Sequence, residues 1–292
     1  LKVAHAYCFK RRGTIGFKET GAPPAELDFN LWLGPAPEQP YHGNLVHYNW
    51  HWFWDTGNGD IGNQGVHQMD IALWGIQGGT WPSRVVSVGG RLGYKDQGQT
   101  PNTQIAIFDY GETQLIFEVR GLTSPSKVDN SFVLEEGTIR KGKFYPNGSD
   151  KGEPIVEKPY TMGPGGGDHF GNFVEAVRSR NASDLNAPVS VGHYASGLCH
   201  LANISYRLGK ETSFDKAHQS FEDNAEASEV FASMEEHLAK ENGIELTDTK
   251  CRLGRTLKLT PSAGSLLSDD PEAAAMLTRP YRKPFEVPEK LA

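Results

Sequence analysis

The chain has 292 residues, of which 37% are hydrophobic and 22% charged, which is enough apolar material for a sizeable core and too much for a disordered polymer. Its 29 Lys and Arg against 36 Asp and Glu give a net charge of −7, which argues against a nucleic-acid binder and an anionic-membrane binder, because both need a basic footprint. No apolar run approaches the roughly 20 residues that span a bilayer.

Residues 1–9 have the alternating character of a strand, and a basic stretch containing Lys10, Arg11 and Arg12 follows. Residues 18–47 read as a long loop, punctuated by Pro23, Pro24, Pro35, Pro37 and Pro40 and holding Trp32; segments of this kind are more often functional than idle. The aromatic run at 48–55 reads as a strand that points Trp50, Trp52 and Trp54 to one side. Tyr48, Asn49 and His51 add polar tips, a mixture that suits a carbohydrate pocket or a buried core strand equally.

Gly57, Gly59 and Gly62 spell G-x-G-x-x-G ahead of a helix. A dinucleotide fingerprint also needs a compact apolar strand before it and an acid after the next strand. Here tryptophans precede it, Asp60 would set a carboxylate beside a pyrophosphate, and Gly89, Gly90 and Arg91 stand where the acid belongs, so the spacing is a decoy. Residues 64–77 have helical period, with Val66, Met69, Leu73 and Ile76 on a core stripe; on a helix beginning near Asn63, Asn63, His67, Asp70 and Trp74 share the opposite face. An imidazole with an ordinary pKa of about 6.5 can exchange a proton with a hydroxyl. Asp70, one turn on, can fix its tautomer or pair with a cation. Periodicity alone also admits a structural histidine and a surface carboxylate.

Strands are predicted at 84–88, 104–110, 114–120, 131–134 and 138–144, with turns at Gly111-Glu112 and Asn147-Gly148. Helices are predicted from Asp168 to Arg180, over 191–208 and over 224–241, before a tail of short strands and Pro-rich loop. Strands in bulk followed by helices predict an α+β fold, a large, mostly antiparallel open sheet with helices packed on one face. The glycine run at 163–167 lacks the Lys-Ser/Thr of a phosphate loop and reads as a flexible connection. His169 and His193 are pocket candidates, whereas His200 and Asn203 read as packing or capping residues because no companions complete a metal set. Cys8, Cys199 and Cys251 are too scattered for a disulfide framework or zinc site and read as small buried hydrophobes.

The run at 48–76, YNWHWFWDTGNGDIGNQGVHQMDIALWGI, resembles the C-terminal, substrate-binding domain of the Gfo/Idh/MocA oxidoreductases, above all bacterial members of planctomycete type. Residues 2–16, 168–210 and 281–288 agree with it, so the whole chain, 1–292, reads as one such domain, with 245–292 as a tail returning to it. The resemblance implies a separate Rossmann domain that binds NAD or NADP and contributes a lysine from a Glu-Lys-Pro motif, and an Asp-x-x-x-His pair from the C-terminal domain. His67 matches the family histidine. The Asp position holds Asn63, whose amide can orient a hydroxyl but cannot act as a base. Glu157-Lys158-Pro159 lies downstream of His67 rather than upstream, and reads as coincidence.

No Rossmann domain is legible in the chain, so it reads as a piece of something longer that binds no nicotinamide alone. The implied function is the substrate half of an NAD(P)-dependent oxidoreductase acting on the CH–OH of a sugar or polyol. Tyr48, Trp50, His51, Trp54, Asp70, His169 and His193 would shape the pocket, and no metal is expected. The alternative is a non-catalytic carbohydrate-binding or oligomerisation module. The expected setting is a soluble bacterial protein of cytoplasm or periplasm, a homo-oligomer through the open sheet face.

Overall fold

Apolar side chains alternate along the central strands, and both alternating sets are buried. In the computed structural model, which describes residues 1–122, 125–155, 168–260 and 266–288, strand β1 (Val3–Phe9) leads to α1 (Phe29–Leu33), a 3-10 turn (Asn49–Trp52), α2 (Gly59–Asn63) and α3 (Gly65–Trp74). Then come β2 (Arg84–Gly90), β3 (Thr103–Asp109), β4 (Gln114–Arg120), β5 (Lys127–Val133), β6 (Gly137–Arg140), β7 (Lys143–Pro146) and β8 (Glu153–Pro154). The remainder is α4 (His169–Ser179), α5 (Val189–Arg207), β9 (Lys210–Ser213), α6 (Phe214–Gln219), α7 (Ala225–Glu236), β10 (Lys250–Leu253), β11 (Leu257–Lys258) and α8 (Pro271–Ala275). Glu157-Lys158-Pro159 and the glycine run at 163–167 lie outside the described residues.

The 11-stranded sheet runs β8-β7-β6-β5-β1-β4-β3-β2-β10-β9, with β11 beside β2. Among the described pairings only β1–β4 is parallel, with Val3 opposite Gln114 and Phe9 opposite Arg120. On one face Ala4, Ala6, Cys8, Phe108, Leu115 and Phe117 pack against Met69, Ala72 and Leu73 of α3 and Leu198, Leu201 and Ala202 of α5. Each large side chain buried here contributes about 1.5–3 kcal/mol.

The α+β class and the mostly antiparallel open sheet are as expected. The helices, however, are not confined to one face. Val86, Val88, Ile105, Ile107 and Ile116 make the opposite side of β2–β4 apolar as well, and Phe214 of α6 with Phe231 and Met234 of α7 covers it. Toward β5 and β6 that side turns polar, at Lys127, Asp129, Ser131 and Arg140. The strand expected at 138–144 is the hairpin β6–β7, bent at Lys141 and Gly142, both at positive φ, the conformation of a two-residue hairpin turn. The helix expected over 224–241 ends its α portion at Glu236 and continues as a π turn, His237–Glu241.

All three cysteines are free and buried. Burial pushes the Cys8 and Cys199 thiols up to about 12 and Cys251 up to about 11. The thiolate is the reactive form, so a thiol reagent at mildly alkaline pH is expected to leave the folded chain unlabelled and to label every cysteine once urea unfolds it. Rapid labelling of the native protein would contradict this burial.

Candidate active site

Helix α3 lies on the sheet through Met69, Ala72 and Leu73, which turns His67, Asp70 and Trp74 away from the core. These three line a groove of about 730 Å³, closed on the other side by Pro188, Val189, His193 and Ser196 at the start of α5. His67 is exposed and Asp70 half-buried. Asp70 Oδ1 is itself buried with no hydrogen-bond partner. Burial pushes the Asp70 carboxyl up; the Trp74 indole and the His67 ring offset only part of that shift. An accessible imidazole and a carboxyl that holds its proton tightly therefore share one groove, a pair suited to general acid–base work.

The raised pKa has a consequence for stability. Folding binds the Asp70 proton more tightly than the unfolded chain does, so this group favours the fold at pH below 3.8 and the benefit is lost as pH rises through its raised pKa. Asp70→Asn is expected to raise the melting temperature at neutral pH and to leave it unchanged below the ordinary carboxylate range. Equal effects at both pH values would contradict the shift.

Of the residues expected at the site, the structure brings together His67, Asp70 and His193. Asn63 closes α2, and Gln64 separates it from α3, so the single helix predicted from Asn63 onward is two. The aromatic run is not a strand. The Trp50 carbonyl accepts from the Phe53 N–H and from Thr56 Oγ1 at 2.8 Å, which curls the segment into the 3-10 turn. With three residues per turn the tryptophans no longer share a side. Trp52 is buried, Trp50 lines a separate cavity with Trp32, and Trp54 lines another with Arg207. His51 is buried and stacked on Trp50 at 3.7 Å between centroids. Tyr48 is exposed, and its hydroxyl accepts from Arg12 at 3.2 Å. His169 is exposed beside Phe170 at the start of α4. Trp74 is thus the one tryptophan that walls the His67 groove.

Sequence reasoning missed the ion pair that holds this region. Arg12 grips Asp60 with two hydrogen bonds, Nε to Oδ2 at 2.9 Å and Nη2 to Oδ1 at 2.6 Å. The Asp60 side chain is 1% exposed, and the guanidinium lies 5.2 Å from the Trp52 ring centre. Nearby, Lys10 Nζ donates to Gln64 Oε1 at 2.8 Å, and Asn203 Nδ2 donates to the Asn58 carbonyl at 2.8 Å, tying α5 to α2. The basic stretch after β1 was the available signal, but nothing local links it to Asp60. The same contacts settle the glycine spacing: with Asp60 locked to Arg12 and a 3-10 turn in place of a strand, this segment does not fit a dinucleotide pyrophosphate.

Residues 3–240 match the family described as "Oxidoreductase family, C-terminal alpha/beta domain", of Gfo/Idh/MocA type. The chain belongs to that family. No curated protein matches it. Among solved structures, a Bacillus subtilis protein described as an oxidoreductase is 16% identical, with a TM-score of 0.42, over 69% of this chain and 54% of that one. The WlbA dehydrogenase of Bordetella pertussis, solved with NADH and UDP-GlcNAcA, is 14% identical, with a TM-score of 0.38, over 70% and 52%. An oxidoreductase of Thermotoga maritima is 13% identical, with a TM-score of 0.39, over 69% and 52%. The chain spans about half the length of these proteins.

The Gfo/Idh/MocA match takes in β1 through α7, and so the whole of the α3–α5 groove. The tail beyond it returns to the front of the domain. Arg282 donates to Asn30 Oδ1 at 2.6 Å and to the Asn30, Gly34 and Ala36 carbonyls. Arg279 donates to the Asp55 and Trp54 carbonyls at 2.6 and 2.9 Å. Among the described residues no helix is long and apolar enough to cross a membrane, and no group of three or more His, Cys, Asp or Glu is placed to hold a metal ion.

Proposed function

We propose that this chain is the substrate-binding half of an NAD(P)-dependent sugar or polyol oxidoreductase. The observation that carries the reading is the convergence of His67, Asp70 and His193 in one open groove of an oxidoreductase-family domain. His67 relays the substrate hydroxyl proton. Asp70, one turn away, faces the same groove. Asn63, at the end of α2, does not line this groove; Trp74 does, and offers a flat apolar wall to the ring. A nicotinamide held by another domain supplies the hydride chemistry.

Helix α4 supports a partner domain. Phe170, Phe173, Val174 and Val177 fall on one helical face, and all are exposed, Phe170 at 68% and Phe173 at 61%. An apolar stripe left in water marks an interaction surface, and the nucleotide-binding domain is the occupant this reading requires. The polar outer side of β5–β7, where Lys127 lies 4.4 Å from the Tyr7 ring and Arg140 lies 4.3 Å from the Tyr145 ring, is left for a second copy of the chain.

The reading is tested by incubating the pure chain with NAD or NADP and a panel of sugars and polyols while following reduced nicotinamide by absorbance. No turnover is expected, and none of the heat of nicotinamide binding in calorimetry. Sustained formation of NADH or NADPH by the chain alone would overturn it.

A further inference from the structure

The groove that holds His67 does not end at His193. His193 and Ser196 also line a second cavity, of about 1080 Å³. That cavity shares His200, Ile204 and Arg279 with a third, of about 300 Å³, which reaches Trp54 and Arg207. The three cavities adjoin one another along α5 across these shared walls. His193, Ser196, His200 and Arg207 recur at spacings of three, four and seven, so they make a polar stripe on one helix face. From His193 to Arg207 the stripe is ~21 Å long at about 1.5 Å per residue.

Flat rings stand along this stripe. Trp81 rests on Gly197, where a Cβ would come within 2.4 Å of the indole, and meets His193 edge-on at 5.4 Å. Tyr281 faces the same cavity from the tail. At the far end the Arg207 guanidinium lies 5.1 Å from the Trp54 ring centre. Charge is sorted along the cleft as well. Arg207 and Arg279 meet at that end, and neither forms an ion pair among the described residues. Partial desolvation and the Arg279 charge hold both Arg207 and His200 below their ordinary values, with the Asp55 charge opposing the shift at Arg207. Asp55 is the acid lining that end, and it is exposed. In a chain of net charge −7, two cations facing the single Asp55 carboxylate, whose charge acts on Arg207, leave a net positive charge at that end of the cleft.

We infer that the cleft along α5 binds an extended anionic oligosaccharide, several rings long, whose carboxylate or sulfate seats against Arg207 and Arg279. The aromatic rings take sugar faces, the stripe takes hydroxyls, and the reacting ring lies at His67 and Asp70. Placing the reacting ring there rests on the proposed function; the length and charge of the cleft do not.

The test is calorimetric titration of the 292-residue chain, without nicotinamide, with mono-, di- and tetragalacturonate, with a sulfated tetrasaccharide and with a neutral mannotetraose. Affinity is expected to rise about tenfold or more from the monomer to the charged tetramer, a gain of about 1.4 kcal/mol. The better of the uronate and the sulfate identifies the anionic group, and the neutral tetramer binds more weakly than either. Arg207→Ala is expected to cost the charged tetramers about fivefold and the neutral one nothing, with the circular dichroism spectrum unchanged because the side chain is exposed. Equal affinity at every length, equal effects of Arg207→Ala on charged and neutral ligands, or no binding of any oligosaccharide would each overturn the inference. Monosaccharide binding that is intact but length-independent removes the extended cleft and leaves the His67 reading standing; turnover of the chain with nicotinamide removes the His67 reading and leaves the cleft.

Discussion

On the proposed function, His67→Ala is expected to lower kcat/KM for sugar or polyol oxidation by roughly 10²- to 10⁴-fold, the span that one general acid–base group supplies. The expectation rests on geometry. His67 points from α3 into the groove and is exposed, and its ring makes no hydrogen bond to any described residue. Removing it should therefore leave stability within about 0.5 kcal/mol, and the loss should appear in turnover and in the shape of the pH–rate profile. Asp70→Asn should lower turnover less and shift the profile, while stabilising the fold at neutral pH. A histidine with a merely structural role gives the reverse pattern, an intact profile with a lower melting temperature. Oxidation of a sugar or polyol followed by nicotinamide absorbance, together with urea unfolding of the same variants, distinguishes the two.

Arg12→Ala is expected to cost about 3–5 kcal/mol of stability, because it leaves the Asp60 carboxylate buried without its partner. The hydrogen bond to Asp60 holds the Arg12 guanidinium even more firmly protonated than usual. The double variant Arg12→Met with Asp60→Leu should recover most of that loss, because it removes both charges together. Equilibrium urea unfolding reads both. A loss under about 1 kcal/mol for the single variant would mean that water reaches Asp60. The pair also joins the end of β1 to α2, immediately ahead of α3, so the single variant should disturb the groove as well as the core.

The core was more legible in the sequence than the site, for a physical reason. Met69, Leu73 and Ile76 recur at helical spacing and all are buried; β3 and β4 alternate and join through the Gly111-Glu112 turn; Asp168 caps α4 by accepting from the Gly171 N–H at 3.0 Å. These signals are local, and burial confirms them. The alternation of Trp50, Trp52 and Trp54 is equally local, yet Thr56 Oγ1 donating to the Trp50 carbonyl and the Gln99 and Thr100 N–H groups donating to the Trp52 carbonyl hold that segment in a 3-10 turn. His67 and His193, on two helices far apart in the chain, line one groove, and Arg12 with Asp60 joins a strand end to a helix; no period in the sequence reports either. Helices on the second sheet face escaped notice because Ile105 and Ile107 read as one half of an ordinary alternation until Phe214 and Phe231 are seen to cover them.

Whether the α3–α5 groove is the place where a sugar binds is tested most directly by two-dimensional NMR of the isotope-labelled chain titrated with galacturonate. The signals of the His67 and His193 rings, the Trp74 indole and the Asp70 amide should move together and saturate at one ligand concentration. Shifts confined to the Trp32 and Trp50 indoles, with His67 and Trp74 unmoved, would contradict the account.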